Sequence, residues 1–175
     1  MAYPYARKLD FPFADYKVNA LDFGAHGEYE GVDWGIHLGE DCLRPRGEKV
    51  KAIGKGRIVY STLHPGTKEK GNWGNVIIIA HKNPKNKKVF FSLYGHLGKR
   101  LKEKGDKVEI GEAIGVVGKR NSPENGWWDE EHLHFSIYTG PWEGKVLPGY
   151  FKKNQRRTNL SYWKRPTDFI AGYPQ

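Results

Sequence analysis

Apolar and polar residues along this chain alternate mostly with the two-residue period of β-strands, and stretches with the period of a helix are few. The pattern predicts three β-rich blocks. The first runs from Trp34 through Ser61. The second runs from Asn75 to Gly118, with strands at Val76–Ala80 and Val89–Tyr94, and the third is His132–Tyr138. The longest apolar run, Val76-Ile77-Ile78-Ile79-Ala80, is far shorter than a membrane-spanning helix. Two Gly-rich or charged segments, 63–73 and 119–131, read as long loops of the kind that carry function on a compact β-domain.

A repeat runs through the pattern. Gly47-Glu48-Lys49-Val50 leads to Ala52-Ile53-Gly54 and Arg57-Ile58-Val59, and Gly105-Asp106-Lys107-Val108 leads to Ala113-Ile114-Gly115-Val116-Val117. Each copy places a Gly-acid-Lys-Val turn before a strand, then a second turn and a short strand. Repeated hairpins of this kind predict an all-β, antiparallel sandwich or barrel built from duplicated halves, with long loops walling a groove. Residues 1–30 are aromatic and irregular and read as a wrapping or substrate-side segment, with the domain proper at 31–175. The stretch from Pro141 to about Lys164 is basic and irregular. The closing Pro166-Thr167-Asp168-Phe169-Ile170 offers Phe169 and Ile170 to the core.

Composition sharpens this reading in three ways. The 175 residues suit one domain with a proper core, and 22 glycines fit a turn-rich β fold. The 29 basic against 20 acidic residues, a formal +9, suit an anionic partner such as nucleic acid, a membrane surface or a wall polymer, without choosing among them. A single cysteine, Cys42, excludes an internal disulfide and every multi-cysteine zinc site, and reads as a small buried hydrophobe. The N-terminus lacks the apolar core of a signal peptide.

Three histidine clusters carry the candidate chemistry. In Glu131-His132-Leu133-His134-Phe135, two imidazoles lie at i and i+2 of an apolar strand, so both project from one face about 6–7 Å apart. Two histidines facing solvent on an amphipathic strand would give the same pattern. In His37-Leu38-Gly39-Glu40-Asp41, a straight strand would hold His37 and Asp41 about 13 Å apart. They converge only if the chain bends, and Gly39 is where it can. His37, Asp41 and one histidine of the His132/His134 pair would give two nitrogens and one carboxylate oxygen. That donor set suits an open catalytic zinc position with room for water. Zinc would polarise a carbonyl and supply hydroxide near neutral pH, with a neighbouring imidazole moving protons. His96, in Leu93-Tyr94-Gly95-His96-Leu97, ends a strong strand and is a candidate second acid/base or oxyanion-stabilising group. Trp127 and Trp128 precede the His-x-His strand, where they could wall a groove or pin their loop to the core.

These motifs, in this order, resemble the lysostaphin/LytM-type zinc endopeptidases of bacterial cell walls over roughly residues 31–170. The matching elements are His37-Leu38-Gly39-Glu40-Asp41, Tyr94-Gly95-His96-Leu97 and His132-Leu133-His134-Phe135, with Gly74–His81, the two Gly-turn segments and Pro166–Phe169 between and after them. The resemblance implies a β core of the lipoyl-like hybrid type and one Zn2+ per chain on His37, Asp41 and His134. It implies His96 and His132 as catalytic histidines; Tyr94, Trp127 and Trp128 are the candidate substrate-binding residues. It also implies cleavage of peptide crosslinks or stem peptides of peptidoglycan. Residues 1–30 and 139–164 match nothing in the family pattern, and its aromatic upstream of the first ligand could be Tyr29 or Trp34. His81 stands where the family often has a histidine, while His26 and His64 read as surface loop residues.

The leading expectation is therefore a monomeric zinc endopeptidase of the cell envelope or extracellular space. It would act on peptidoglycan peptides, with its positive charge favouring anionic wall polymers. The alternative is a non-catalytic wall-binding or hydrolase-activating module on the same scaffold. A basic nucleic-acid-binding β-domain ranks last, because it leaves the histidine motifs unexplained.

Overall fold

The apolar run at the middle of the sequence becomes an interior strand of the larger of two antiparallel sheets in the computed structural model, which describes residues 2–155 and 157–174. Met1, at the head of the N-terminal segment, Arg156, in the basic stretch, and Gln175 lie outside the described residues. In chain order the strands are β1 (His26–Tyr29), β2 (Val32–His37), β3 (Glu40–Leu43), β4 (Lys49–Lys51), β5 (Gly56–His64) and β6 (Gly74–Lys82). There follow β7 (Val89–Arg100), β8 (Lys107–Val108), β9 (Ala113–Val117), β10 (His132–Tyr138), β11 (Tyr150–Phe151) and β12 (Trp163–Lys164). A 3-10 turn spans Leu160–Tyr162, and one short helix, α1, spans Pro166–Ala171.

The larger sheet runs β12-β10-β7-β6-β5-β8, with β3 on β10 and β9 on both β7 and β4; β1, β2 and β11 form a second, small sheet. The fold is all-β and antiparallel, with no closed barrel among the described residues. Strand β6 is buried along its length up to Lys82 because both of its faces are covered. Ile77 and Ile79 join Tyr94, Phe135 and Ile170 on one face, and Val76 and Ile78 join Leu93, Tyr138 and Trp163 on the other. Ile77, Ile78 and Ile79 are each fully buried, worth about 2 kcal/mol apiece in apolar surface removed from water. Ala6, Leu9 and Phe13 of the N-terminal segment lie in the first of these layers.

The repeat folds differently from the hairpins that its spacing suggests. Each Gly-acid-Lys-Val strand pairs with the second strand of the other copy: β4 with β9, and β8 with β5. The exchange repeats atom for atom. Gly47 N–H donates to Val117 O and Val117 N–H to Glu48 O; Gly105 N–H donates to Ile58 O and Ile58 N–H to Asp106 O. Pattern identifies both copies, but local spacing cannot distinguish a hairpin within a copy from a pairing between copies.

His81 is fully buried, with Nδ1 2.8 Å from the Lys55 carbonyl and Nε2 2.8 Å from Ser92 Oγ. Both nitrogens are used by the scaffold. Burial pushes its pKa down to about 4, below the value of about 6.5 in an unfolded chain. Between those values the unfolded state binds the extra proton, so stability rises with pH. The wild type should lose on the order of 3 kcal/mol relative to His81→Gln as pH falls from 6.5 to 4. Denaturant unfolding of both proteins at several pH values measures this, and parallel curves would show that the ring does not titrate on unfolding.

Candidate metal centre

Strict alternation along β10 separates two environments. Leu133, Phe135 and Ile137 enter the core, while His132, His134, Ser136 and Tyr138 share the opposite face. All seven residues are buried, so neither histidine faces open solvent. Register supplies the next neighbour: His134 lies directly across from Asp41 on β3 and from Gly95 on β7. Cross-strand partners place their Cβ atoms about 5 Å apart, which brings the carboxylate to the imidazole.

His37 arrives from the other sheet. It ends β2, the chain turns at Leu38-Gly39, and β3 begins at Glu40. The bend requires glycine because of close approach: a Cβ on Gly39 would stand 2.6 Å from each of His134 Nε2, Phe135 O and Ser136 Oγ. Beyond the bend, Glu40 anchors the strand. Its buried carboxylate accepts hydrogen bonds from Tyr16 Oη at 2.9 Å, Thr167 N at 3.2 Å and Thr167 Oγ1 at 2.9 Å. This ties the N-terminal segment and the start of α1 to the residue beside Asp41.

The three side chains then crowd together. His37 Nε2 is 3.0 Å from His134 Nδ1, and Asp41 Oδ1 is 3.3 Å from the first and 3.2 Å from the second. Burial pushes His134 down to about 4. Burial works to raise Asp41, but the closeness of His134 and then His37 outweighs it and holds the carboxyl well below the usual range. Yet Asp41 Oδ1, buried and anionic, has no hydrogen-bond partner among the described residues. The outer nitrogens are committed elsewhere: His37 Nδ1 lies 3.1 Å from the Asp22 carbonyl, and His134 Nε2 lies 2.7 Å from Ser136 Oγ. A carbonyl only accepts, so His37 carries its proton on Nδ1 and turns a lone pair on Nε2 toward Asp41. One donor atom from each residue lies within 4.8 Å of the other two. Two imidazole nitrogens and an unpartnered carboxylate oxygen are a donor set that fits a divalent metal ion.

Two further histidines flank this cluster. The His132 ring lies 4.7 Å from that of His96, and His96 lies 6.0 Å from His134. His132 Nδ1 faces the Glu130 carbonyl at 3.1 Å, and His96 Nδ1 faces the carbonyls of Trp73 and Asn125, each at 3.0 Å. In both rings Nδ1 is thus the donor and Nε2 has no protein partner among the described residues. His96 owes its direction to a bulge. Phe90, Ser92 and Tyr94 alternate onto one face of β7, so an unbroken strand would send His96 into that layer as well. Instead the register against β6 shifts between Asn75 and Ile77, and His96 takes φ 61°. That turns its ring toward His134. Burial, followed by the neighbouring His132 and His134, holds its pKa well below the ordinary value.

The bulge also corrects the expectation for Tyr94. It is fully buried, packs on Phe135 and accepts a hydrogen bond from Ile53 N at 3.0 Å, so its ring belongs to the core and not to a substrate surface. Trp128 does line a groove of about 720 Å³ that opens beside His96 and His134, but Trp127 does not. Of the two upstream aromatics considered, Trp34 lines this groove, whereas Tyr29 packs against Trp128. Two groove residues have no signature in the sequence. Trp73 packs against His96 and His134, with ring centroids 5.5 and 4.8 Å away. Tyr150, on β11 opposite His37, lies 5.1 Å from its ring. His64 ends β5 at the groove wall, and His26 is exposed on β1.

The model of peptidase family M23 matches residues 35–147. Over 101 residues the chain is 33% identical to the peptidoglycan DD-endopeptidase ShyA of Vibrio cholerae, covering 58% of this chain and 20% of that protein. Over 111 residues it is 33% identical to lysostaphin of Staphylococcus staphylolyticus, covering 63% and 20%. The chain thus spans about a fifth of the length of the curated relatives it matches. Among solved structures it resembles the catalytic domain of lysostaphin from Staphylococcus simulans, with a TM-score of 0.57 and 25% identity, covering 87% of this chain and 91% of that one. It also resembles a zinc-containing peptidase from Vibrio cholerae, with a TM-score of 0.59 and 26% identity, covering 75% and 37%.

The contact at Gly39 yields a direct test. Gly39→Ala should destabilise the fold by about 1–3 kcal/mol, because the methyl group meets backbone and a buried imidazole that have no room to move. Denaturant unfolding measures this, and an unchanged midpoint would mean that the His134 side of the bend is loosely packed.

Proposed function

The chain belongs to peptidase family M23, and on that premise we propose that it is a zinc-dependent endopeptidase cleaving peptide crosslinks or stem peptides of peptidoglycan. The observation that carries the reading is the unpartnered Asp41 Oδ1 between His37 Nε2 and His134 Nδ1. These three residues would hold one zinc ion per chain. When bound, zinc supplies Lewis acidity that polarises a carbonyl and makes water a competent nucleophile near neutral pH.

The remaining chemistry falls to the chain's own side chains. Tyr150 packs on His37, and Ser136 and the Asp22 carbonyl fix the two liganding rings, so the donor atoms keep their directions without substrate. His96 and His132, each anchored through Nδ1, present Nε2 as proton acceptor and, once protonated, as donor. One takes a proton from the attacking water and passes it to the departing amine. The other, once it has itself taken up a proton from solvent, donates a hydrogen bond to the oxygen that gains charge. Trp73 and Trp128 wall the groove in which an extended peptide lies, shielding the reacting carbonyl from bulk water.

This reading treats 31–175 as the catalytic domain and 1–30 as a brace across it, and it places the enzyme at the cell envelope or outside the cell, acting as a monomer. A net charge of +9 would draw it to anionic wall polymers, with binding that weakens as salt rises. No helix among the described residues is long and apolar enough to cross a membrane. The similarity to peptidoglycan endopeptidases and to a zinc-containing peptidase supports the substrate class and the metal.

The ligand and proton-transfer roles separate experimentally. His134→Ala and Asp41→Ala should lose stoichiometric zinc and all turnover on purified peptidoglycan. His96→Ala and His132→Ala should keep zinc and lose about 10²–10⁴ in rate. Metal analysis and release of soluble muropeptides measure the two effects, and full activity in Asp41→Ala would overturn the assignment.

A further inference from the structure

The groove beside His96 and His134 is lined by charge of predominantly one sign. Lys145, Lys152 and Arg157 of the irregular basic stretch line it together with Lys70 of the 63–73 loop, and the one acidic residue among the lining side chains is Glu143. The chain as a whole carries 29 basic and 20 acidic residues, so four cations to one anion is well beyond its general excess. Salt bridges elsewhere engage Arg44, Lys55, Lys102 and Arg165. Among the described residues, none of the four groove cations is paired with a carboxylate.

One of these cations, Lys152, is set close to the reacting centre. The basic stretch is docked by the pairing of β11 with β2, by Leu38 N–H on the Gly149 carbonyl at 2.9 Å, and by Trp73 Nε1–H on the Leu147 carbonyl at 3.1 Å. Gly35, at φ 89°, lets the two segments touch: a Cβ there would stand 2.3 Å from Phe151 O and 2.9 Å from Lys152 Cγ. Tyr150 and Lys152 line the groove and Phe151 does not, as expected for an extended segment whose alternate residues share a face about 6–7 Å apart. Lys152 is therefore the next groove-facing position after the tyrosine that packs on His37.

We infer that the groove is built for a peptide bearing free carboxylates close to the scissile bond, and that the chain prefers acidic stem peptides to uncharged bridges such as oligoglycine. An uncharged bridge would leave four cations crowded in a shared cleft with nothing to neutralise them. A carboxylate engaging Lys152 or Arg157 would fix the register of the peptide along the groove as well as hold it. The inference rests on the peptidase reading for its site but not for its measurement.

The test uses a crosslinked stem-peptide dimer with all carboxyl groups free, the same dimer with them amidated, and pentaglycine. Binding to the full chain is followed by the fluorescence of the groove tryptophans. The free-acid dimer should bind about tenfold more tightly than the amidated dimer or pentaglycine at low salt, with the gap closing as salt is added. In the Lys145→Gln/Lys152→Gln/Arg157→Gln protein the preference should collapse toward one, with the thermal midpoint unchanged. Equal affinity for the free and amidated dimers, the same preference in the triple variant, or no binding of either dimer at millimolar concentration would overturn the inference. If the preference holds but the zinc-loaded chain cleaves none of the peptides, the anionic-ligand groove stands and the peptidase reading falls.

Discussion

A buried carboxylate pressed between two imidazoles sets the terms for the rest of this molecule. Asp41 Oδ1 receives no hydrogen bond from the described residues, though it is buried and its carboxyl is held in the charged form. Left alone, such a group would cost several kcal/mol of lost hydration. The scaffold does not relieve the crowding; it enforces it. Register across β3 and β10 presses Asp41 against His134, a side-chain-free Gly39 lets His37 come down on the same spot, and hydrogen bonds on the outer nitrogens keep both rings from turning away. Stability given up here is recovered in the layers around β6, where both faces are apolar and closed.

Much of this was legible in the residues, because strand alternation is a strong rule. It set His132 and His134 on one face and fixed their separation, and it identified β6 from its apolar run. The need for a bend between His37 and Asp41 followed from strand rise alone. What the pattern could not supply was the reason for glycine at the bend, which is the imidazole that passes beneath it and not the backbone dihedral. Nor could it supply the direction of His96. Alternation pairs that residue with Tyr94, and the bulge that separates them is held by carbonyls of Trp73 and Asn125, 23 and 29 residues away in sequence. Tyr94, named with His96 in one motif, turns into the core because the bulge sends only His96 toward the site. Tyr150 gave no signal at all, since its position depends on a two-residue strand added to the edge of β2 from an irregular stretch.

The walls of the groove are a second layer of the same design. The loops 63–73 and 119–131 are bonded to each other before they meet anything else: Asn72 N–H donates to Gly126 O, Gly66 N–H to Pro123 O, and Trp128 Nε1–H to Asn72 O. Asn125, almost fully buried, uses its side chain to fold its own loop and its backbone carbonyl to orient His96. Loop shape and histidine direction are therefore one variable. A peptide in the groove meets surfaces whose geometry is fixed by the bonds that aim the rings.

The exchanged strands of the repeat bear on how the chain comes to be folded at all. Neither copy of the Gly-acid-Lys-Val unit can satisfy its own backbone, because β4 waits for β9 and β8 completes β5. About sixty residues of chain must be synthesised and brought back before the first strand of the unit finds its mate. Pairings at this separation must wait for loop closure, unlike the β5–β6 and β6–β7 pairings between sequence neighbours. The interlock also means that each copy completes its backbone hydrogen bonding only with strands of the other. The two copies of the motif are complete only as a pair.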